Sequence, residues 1–580
     1  MELDRTGRDI LAASGHLLIE GGPGSGKTTI ALLKAAQTVA TLEAEQRVLF
    51  LSFSRAAVRQ ISERISEHFT SDTRDHLEVR TFHAFFLGLV RAHGPLLTGT
   101  PSEFLPPDAE NRVRADHVGD WDAETQELAR RGVYVFDQLA TTAATLLERS
   151  SALRHLYSER YPLVIVDEFQ DTNIDQWRAI KALSLRSTVI CLADPDQRIY
   201  DAFVKGIDEA RIQHAVDALD PTRFNLAGDN HRSTGNGILN YANAVLRNEP
   251  APLPSAVQYI NYRYPQTPEQ ITHRVLHALQ NHYTRQLGQQ PTIAVLALEN
   301  AFIAQISEAI SKDQALPTGQ VLAALDHELV WDPGLSAAAG FVVASVLEWP
   351  ALLRVEAVTA TLRNIANFYR VKVANGTTTA RSTIRTLENA IAAFTEGKAV
   401  RAKTGQAVID ACDNGIQFTG NPITDWQLAR ARLRGSTEMQ EVFNRARLLR
   451  LFHATDTLVW GLSEIWDGEA SYRDATGTVR RILANELLVG RPTEPHPVTL
   501  MNLHKSKGKE FDAVVIVEGQ HRARLMEPAW DAMRTTQTRR VLRVAITRAR
   551  HAVIIVRPTN AVPLLPHDLS ISAPRRRRQA

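Results

Sequence analysis

Short continuous apolar runs alternate along the chain with segments whose apolar residues recur at helical spacing. Leu17–Ile19 and Leu163–Val166 are clear examples of such runs, and neither contains a charged residue. An apolar run bounded by polar residues is typical of a strand buried on both faces of a parallel sheet. The first run is followed, after a glycine-rich segment, by the helix-forming stretch Ile30–Ala36. Strands that alternate with helices favour an α/β fold with parallel sheets.

The remaining runs form two groups, which predicts two α/β domains. Residues 92–132, which are polar and rich in proline, interrupt the first group, and residues 311–490, with helical periodicity, interrupt the second. The first group adds Val48–Leu51, Leu77–Val79 and Thr188–Leu192, and the second comprises Thr292–Leu296, Pro497–Met501, Ala513–Val517 and Val553–Val556. The predicted bounds are 1–91 and 133–215 for the first domain, 92–132 for its insertion, 216–310 and 491–580 for the second domain, and 311–490 for its helical insertion.

Composition restricts the class of protein. The chain has 580 residues, of which 44% are hydrophobic and 22% charged, as expected for a folded globular protein. Its net charge of +2 excludes a strongly basic surface overall, so that any nucleic acid would be bound by local patches. Two distant cysteines make no disulfide framework. With neither a signal peptide nor an apolar stretch long enough to cross a bilayer, we expect a cytoplasmic protein with no membrane contact.

A glycine-rich segment joins the first predicted strand to the first predicted helix. Residues 21–28 have the sequence GGPGSGKT, which fits the pattern G-x-x-x-x-G-K-[ST] of a phosphate-binding loop. Backbone N–H groups of such a loop surround the phosphates, the lysine adds a positive charge, and the following hydroxyl is placed to bind Mg²⁺. The nucleotide-binding residues predicted here are Gly22, Gly24, Ser25, Gly26, Lys27, Thr28 and Thr29.

Polar residues follow two of the predicted strands of the first domain. Asp167 and Glu168 come directly after the run Leu163–Val166, and Gln197 follows the strand 188–192. The carboxyl ends of parallel strands face the ligand crevice, so we expect these side chains near the phosphates held by Lys27. Asp167 is placed to complete a Mg²⁺ site with Thr28, and Glu168 to orient or deprotonate the attacking water.

The motifs, taken in order, resemble those of superfamily 1A DNA helicases of the UvrD/Rep/PcrA type. The resemblance implies two RecA-like P-loop domains with parallel sheets, each interrupted by an inserted, mainly helical subdomain, and ATP in the cleft between them. The segments that carry it are GGPGSGKT at 21–28, LSFSRAAVRQI at 51–61, RTFHAFF at 80–86, VIVDEFQDTNIDQW at 164–177, ADPDQRIY at 193–200, DNHRST at 229–234, VTLMNLHKSKGKEFDAVVIVEG at 498–519 and RRVLRVAITRAR at 539–550.

The resemblance also implies roles for individual residues. Gln197 would sense the γ-phosphate, and Arg232 and Arg548 would act as arginine fingers from the second domain. Glu510 would bind the ribose, and His231 stands where the family has a tyrosine that stacks on the base. The positions that match single-stranded DNA contacts are Phe53, Thr81, Phe82, His83 and Tyr200 in the first domain and His504 in the second.

The sequence also departs from the family pattern elsewhere. No glutamine precedes Gln37, although the family reads adenine with a glutamine before its first strand, and this puts strict ATP selectivity in question. Arg543 stands where the family has an aromatic residue before its VAxTRA pattern.

These features lead to one expected function and one alternative. We expect an ATP- and Mg²⁺-dependent 3′–5′ helicase that moves on single-stranded DNA and acts on 3′-tailed duplexes. The alternative is a nucleotide-gated DNA-binding subunit that unwinds little and serves a multi-protein complex, for example in antiphage defence. The chain ends soon after Arg548, so a nuclease would be a separate protein partner. A small-molecule kinase is disfavoured because it would not explain Gln197 or Arg548.

Overall fold

The structure is a computed structural model in which the chain divides into two compact units. One unit comprises Met1–Phe85, Ala140–Val330 and Glu494–Ala580, and the other Phe86–Leu139 and Trp331–Thr493. The residues that the structure describes are 4–105, 110, 113–114, 117, 119–199, 206–226, 233, 235, 237–316, 321–330, 333–374, 380–433, 439, 442, 455–489 and 496–566.

The strands of the described residues form two large parallel sheets and two small pairs. In chain order they are β1 (Leu17–Glu20), β2 (Val48–Ser52), β3 (Leu77–Thr81), β4 (Glu103–Phe104), β5 (Val133–Tyr134), β6 (Leu163–Val166), β7 (Thr188–Ala193), β8 (Thr222–Asn225), β9 (Val257–Tyr262), β10 (Ile293–Ala297), β11 (Gln314–Ala315), β12 (Val321–Leu322), β13 (Glu328–Leu329), β14 (Val498–Asn502), β15 (Phe511–Val517) and β16 (Ala549–Pro558).

Both large sheets belong to the first unit, and all their neighbouring strands run parallel. The first sheet has the order β3-β2-β6-β7-β1-β8, and the second the order β13-β14-β10-β15-β16-β9. In the first sheet, β7 lies between β1 and β6, so the segments that follow all three strands emerge at one edge. Two parallel α/β sheets confirm the predicted fold class.

Helices cover the strands and leave the central strands buried on both faces. Every residue of β2, β6 and β10 is buried, which is the reason that these segments read as continuous apolar runs. The helices of the first unit are Arg5–Ala12, Lys27–Val39, Arg55–His68, Ser71–Asp75, Ser151–Arg160, Ile174–Ser184, Arg211–Leu219, Ile238–Arg247, Pro268–Leu287, Asn300–Ile310 and Ala532–Ile546, with 3₁₀ turns at Phe169–Asp171, Pro195–Gln197 and Leu503–Ser506.

The second unit is mainly helical and has its own core. The helices Pro333–Leu347 and Arg354–Ala374 pack against each other and bury residues such as Val343, Leu362 and Phe368. Its other elements are the strand pair β4–β5, the helices Pro95–Thr98, Trp121–Arg130, Ala380–Thr395, Lys403–Asp413, Pro422–Arg432, Thr455–Glu464 and Ala475–Val489, and the 3₁₀ turn Trp349–Ala351. Two helices, Phe82–His93 and Gln138–Arg149, begin in one unit and end in the other.

The two large sheets extend past two of the predicted domain bounds, in both cases at an edge strand. The first domain extends beyond residue 215, because β8 pairs with β1, and the second extends beyond residue 310, because β13 pairs with β14. Both strands lie at sheet edges and contain exposed polar residues, so neither forms an apolar run. The insertion predicted at 92–132 corresponds to the broader segment Phe86–Leu139. Within the described part of the chain, no helix is long and apolar enough to cross a membrane.

Candidate nucleotide-binding and catalytic site

The phosphate-loop segment connects β1 to the helix Lys27–Val39. Gly24 and Gly26 have φ values of 77° and 85°, a backbone conformation that glycine adopts without strain. The residue before this helix is Gly26, which has no side chain to cap the first turn, and the N-terminus of a helix favours an anion. The Lys27 ammonium donates hydrogen bonds to the carbonyl oxygens of Gly21 (2.5 Å) and Gly22 (3.0 Å). The lysine is therefore held at the loop.

A buried hydroxyl in the same loop also favours an anionic ligand. The Ser25 Oγ has no hydrogen-bond partner among the described residues, although the residue is only 3% exposed. A buried polar group without a partner is costly, and a bound phosphate oxygen would satisfy it. The loop, the uncapped helix and the lysine together fit a nucleoside triphosphate.

The two carboxylates predicted after β6 lie next to each other at the carboxyl end of this strand. The Asp167 N–H donates to the Leu51 carbonyl (2.9 Å), which continues the strand ladder by one residue. Glu168 adopts a left-handed conformation with φ of 50°, which is unusual for a residue other than glycine and is typical of functional sites. Its carboxylate accepts a hydrogen bond from the Gln170 amide at 2.5 Å.

The pKa values of these two carboxyl groups shift in opposite directions. Burial, aided by the neighbouring Glu168 charge, raises the pKa of Asp167 to about 7, although Lys27 opposes the change. Burial also acts to raise the pKa of Glu168, but the ammonium groups of Lys507 and Lys27 outweigh it, and the pKa of Glu168 falls below its ordinary value. A lowered pKa favours the carboxylate form of Glu168, which can accept a hydrogen bond from a water molecule and orient it.

The segment after β7 adds an amide that is fixed by a carboxylate. The Gln197 Nε2 donates to the Asp194 Oδ2 at 2.8 Å, and Gln197 is buried. The Asp194 N–H in turn donates to the side-chain oxygen of Gln170 at 2.9 Å. Gln170 therefore links the turn after β6 to the turn after β7, since its amide also holds Glu168.

Two basic residues of the second sheet domain reach the carboxyl ends of the strands of the first sheet. Lys507 follows β14 and its 3₁₀ turn, and its ammonium donates to the Asp171 carboxylate and to the Gln197 carbonyl (2.6 Å). The same ammonium lies 3.4 Å from the Glu168 carboxylate. The Arg548 Nη2 lies 3.5 Å from the Gln197 Oε1. The structure thus brings residues of both sheet domains together around Glu168 and Gln197.

Arg543 is a third basic residue from the second sheet domain at this place. It lies on the helix Ala532–Ile546, is 2% exposed, and its Nη1 is 3.5 Å from the Asp194 Oδ2. Sequence reasoning assigned no site role to Arg543, Lys507, Asp171 or Asp194. All four are charged residues inside or beside a motif named above, which is the signal that could have marked them as site residues. That they meet at one place follows only from the arrangement of the two sheets.

Three predicted site residues, Tyr200, His231 and Arg232, lie outside the described residues. Glu510, expected at the ribose, forms ion pairs with Arg64 (3.3 Å) and Arg550 (3.1 Å), and its side chain is only 8% exposed. The ribose role of Glu510 stays a prediction.

The residues predicted to contact DNA differ in exposure. Phe53 is partly exposed, and its ring packs against that of Phe82 with centroids 5.0 Å apart. Phe82 itself is only 1% exposed, so its ring is buried and packs against Phe53, and its predicted role as a DNA contact stays a prediction. The Thr81 hydroxyl accepts a hydrogen bond from the Ala84 N–H at 3.2 Å. Burial lowers the pKa of His83 to about 4 and lowers that of His504 as well.

The donor atoms at the loop suit Mg²⁺ better than a transition metal. The Thr28 hydroxyl and the Asp167 carboxylate supply oxygen atoms, and Mg²⁺ in phosphate sites needs only one or two protein ligands beside phosphate oxygens. Within the described ranges, no group of three or more histidine, cysteine, aspartate or glutamate residues could hold a metal ion. The residues present therefore fit a magnesium ion that is bound together with a nucleotide.

Parts of the chain match models of known protein families. Residues 4–125 and 108–206 match the model of the UvrD/REP helicase N-terminal domain, and residues 497–556 match that of the UvrD-like helicase C-terminal domain. These matches contain the phosphate loop, both carboxylates, Lys507 and Arg548. The two models together match less than half of the chain, and over these segments the chain is similar to UvrD/REP-type helicases.

The chain is also similar to parts of several curated proteins. The chain is 24% identical to the ATP-dependent DNA helicase PcrA of Leuconostoc citreum over 52% of its own length and 47% of the relative's. It is 26% identical to DNA helicase II of Haemophilus influenzae over 42% of its length and 40% of the relative's. It is 39% identical to the RecBCD enzyme subunit RecB of Mycolicibacterium smegmatis over 24% of its length and 13% of the relative's. The chain thus spans less than half the length of each of these relatives.

Proposed function

We propose that the chain is an ATP-dependent DNA helicase that moves along single-stranded DNA in the 3′–5′ direction. The observation that carries the proposal is the convergence of residues from two RecA-like sheets beside the phosphate loop. Lys27 and Glu168 belong to the first sheet domain, and Lys507 and Arg548 come from the second. A site made from both domains can couple nucleotide hydrolysis to their relative movement. The direction of movement rests on the family resemblance alone.

In the proposed reaction, the protein binds and orients the triphosphate and stabilises developing charge. The loop N–H groups and Lys27 bind the phosphates, and Thr28 and Asp167 would hold Mg²⁺, which supplies charge neutralisation at the phosphate oxygens. Glu168 orients the attacking water and accepts its proton. Arg548 stabilises the charge on the transferred phosphoryl group, and Arg232 has the same role by resemblance.

Gln197 supports the proposed coupling to DNA. Its backbone carbonyl accepts from Lys507 and its side chain faces Arg548, so it contacts the second domain at two points. A change at the nucleotide would therefore change the contacts between the domains. Phe53 and His504 are the proposed DNA contacts on the two domains, since aromatic rings stack on bases of any sequence.

The experiment that tests the proposal is a matrix of nucleotides and nucleic acids. ATPase activity is measured with ATP, GTP and CTP, each with single-stranded DNA, duplex DNA, RNA or no nucleic acid. We expect hydrolysis stimulated by single-stranded DNA, and unwinding of 3′-tailed but not 5′-tailed duplexes. Hydrolysis that is indifferent to DNA would contradict the motor function, and unwinding of 5′-tailed duplexes alone would contradict the direction. The comparison of nucleotides tests whether the chain selects ATP strictly, which the absent glutamine puts in question.

A second candidate is a nucleotide-gated subunit that acts with a nuclease partner and unwinds little by itself. The similarity to a protein named as a subunit of the RecBCD enzyme favours it. Robust unwinding by the isolated chain would remove this candidate. Strand separation that appears only after a nuclease partner is added would support it.

A further inference from the structure

Arg543 is a buried cation with partners from both sheet domains. Its Nε donates to the Asn243 side-chain oxygen at 2.9 Å, which anchors the guanidinium within the second domain. Its two terminal nitrogens lie 3.5 Å from the Asp194 carboxylate and 3.7 Å from the Asp196 carboxylate of the first domain. Burial of a charge costs free energy unless the charge is paired, so these contacts hold the Arg543 guanidinium in its position.

The carboxylate that Arg543 reaches also holds Gln197. The Asp194 Oδ2 accepts from the Gln197 amide at 2.8 Å and is the same oxygen that faces the Arg543 Nη1. The Gln197 Oε1 faces Arg548 on its other side. The orientation of the Gln197 amide therefore depends on a carboxylate whose charge Arg543 balances.

The same guanidinium lies beside the phosphate loop. A Cβ atom built on Gly22 would meet the Arg543 Nη2 at 4.0 Å. Gly22 also contributes one of the carbonyl groups that hold Lys27. Arg543 thus places a second cation next to the loop, in addition to Lys27.

We propose that Arg543 is a positioning residue for ATP hydrolysis: it fixes Gln197 through Asp194 and adds positive charge beside the phosphate loop. The proposal rests on the ATPase function proposed above. A planar guanidinium can bond to Asn243 and face Asp194 at the same time, whereas a lysine ammonium offers a single point charge. The two parts of the role can therefore be separated by the choice of substitution.

The test compares Arg543→Gln and Arg543→Lys with the matched control Arg540→Gln. Arg540 lies on the same helix and faces a first-domain carboxylate, Glu209, at 3.8 Å, but this partner is largely exposed, whereas Asp194 is buried. The full chain is assayed for DNA-stimulated kcat, KM for ATP, binding of a fluorescent ATP analogue and thermal midpoint. Misplacement of a catalytic group by about 1 Å costs about 100-fold in rate, so we expect Arg543→Gln to lower kcat roughly 10- to 100-fold.

The pattern across the variants distinguishes positioning from a merely structural role. Arg543→Gln should also raise KM and weaken analogue binding, whereas Arg543→Lys should restore KM and binding but leave kcat low. Arg540→Gln should resemble wild type in all four measurements. In the double variant Arg543→Gln with Asp194→Asn, kcat should be no lower than in the more impaired single variant, because both act through one carboxylate.

Three results would overturn the proposal. They are an unchanged kcat and KM in Arg543→Gln, additive losses in the double variant, or losses in Arg543→Lys that follow the thermal midpoint alone. If Arg543→Gln does not fold, Arg543→Lys and Asp194→Asn decide the question. A wild-type chain that neither binds nor hydrolyses nucleotide refutes the proposed function and this inference with it. An active wild type with unaffected Arg543 variants refutes only the inference.

Discussion

Asp167 and Glu168 are neighbours in the chain, yet their surroundings push their pKa values apart. The pKa of Asp167 rises to about 7 through burial and the Glu168 charge, while Lys507 and Lys27 lower the pKa of Glu168. Separate pKa values of this kind assign separate roles to two similar groups. Asp167, beside Lys27, would hold Mg²⁺ together with Thr28, and Glu168 would orient the attacking water.

The first prediction concerns Glu168→Gln. The substitution keeps the size of the side chain and removes its basicity, so kcat for DNA-stimulated ATP hydrolysis should fall roughly 100-fold or more. Binding of a fluorescent ATP analogue should change little, because Lys27 and the loop remain. The exposed Glu159→Gln is the control and should leave both measurements unchanged. A Glu168→Gln variant that hydrolyses ATP at the wild-type rate would remove Glu168 from the proposed mechanism.

The second prediction concerns the pH dependence of stability at His83. Burial lowers the pKa of this imidazole from 6.5 to about 4. Between these two pH values, the imidazole is mostly protonated in the unfolded chain and mostly neutral in the folded chain. The contribution of His83 to stability is complete above pH 6.5 and is lost as the pH falls toward 4. The thermal midpoint of His83→Asn should therefore fall less steeply over this range than that of wild type. His155→Asn, at an exposed histidine, should retain the wild-type slope; equal slopes for all three proteins would contradict the prediction.

At the scale of elements, Phe53 and Phe82 are in contact but have different expected roles. The buried ring of Phe82 stabilises the fold, and the partly exposed ring of Phe53 is placed to bind DNA. Phe82 begins the helix Phe82–His93 and is buried, while Phe53 follows β2 and is partly exposed. The inner ring fixes the position of the outer ring, which is the one that a base can reach. The two substitutions should therefore have different consequences.

The third prediction compares Phe82→Ala with Phe53→Ala. Truncation of a buried phenylalanine costs about 3–5 kcal/mol, so Phe82→Ala should lower the thermal midpoint strongly. Loss of a stacking ring costs roughly 1–3 kcal/mol per base, so Phe53→Ala should weaken binding of single-stranded DNA with a smaller loss of stability. Fluorescence anisotropy with a labelled oligonucleotide and thermal unfolding measure the two effects. Unchanged DNA affinity in Phe53→Ala would exclude Phe53 as a DNA contact.

Central and edge strands differ in how well the sequence predicts them. The central strands β2, β6 and β10 could be predicted because burial on both faces requires continuous apolar residues. The edge strands β8 and β13 could not, since one is largely exposed and the other has two residues. The polar ends of β6 and β7 were predictable as a site, because parallel strands present their carboxyl ends at one edge. The contacts of Lys507 and Arg543 depend on how two sheets meet, which no local pattern contains.

At the scale of the whole molecule, the net charge of +2 gives no sign that buried charges of opposite sign are paired at the site. The contacts between the two sheet domains at the site are made by buried charges of opposite sign. Lys507 and Arg543 come from one domain, and Asp171 and Asp194 from the other. Relative movement of the domains must therefore break or exchange ion pairs at the place where the nucleotide phosphates are proposed to bind.

The last prediction tests this link through Lys507 and Asp171. Both side chains are almost fully buried, so Lys507→Met leaves the Asp171 carboxylate without its ammonium partner, and loss of one member of a buried pair costs about 3–5 kcal/mol. Lys507→Met and Asp171→Asn should each lower the thermal midpoint, and the double variant should be more stable than the sum of the two losses implies. The exposed Lys312→Met, whose partner Glu308 is also exposed, should have little effect. Strict additivity of the Lys507 and Asp171 effects would mean that the ion pair does not couple the two domains, since independent sites add and contacting ones do not.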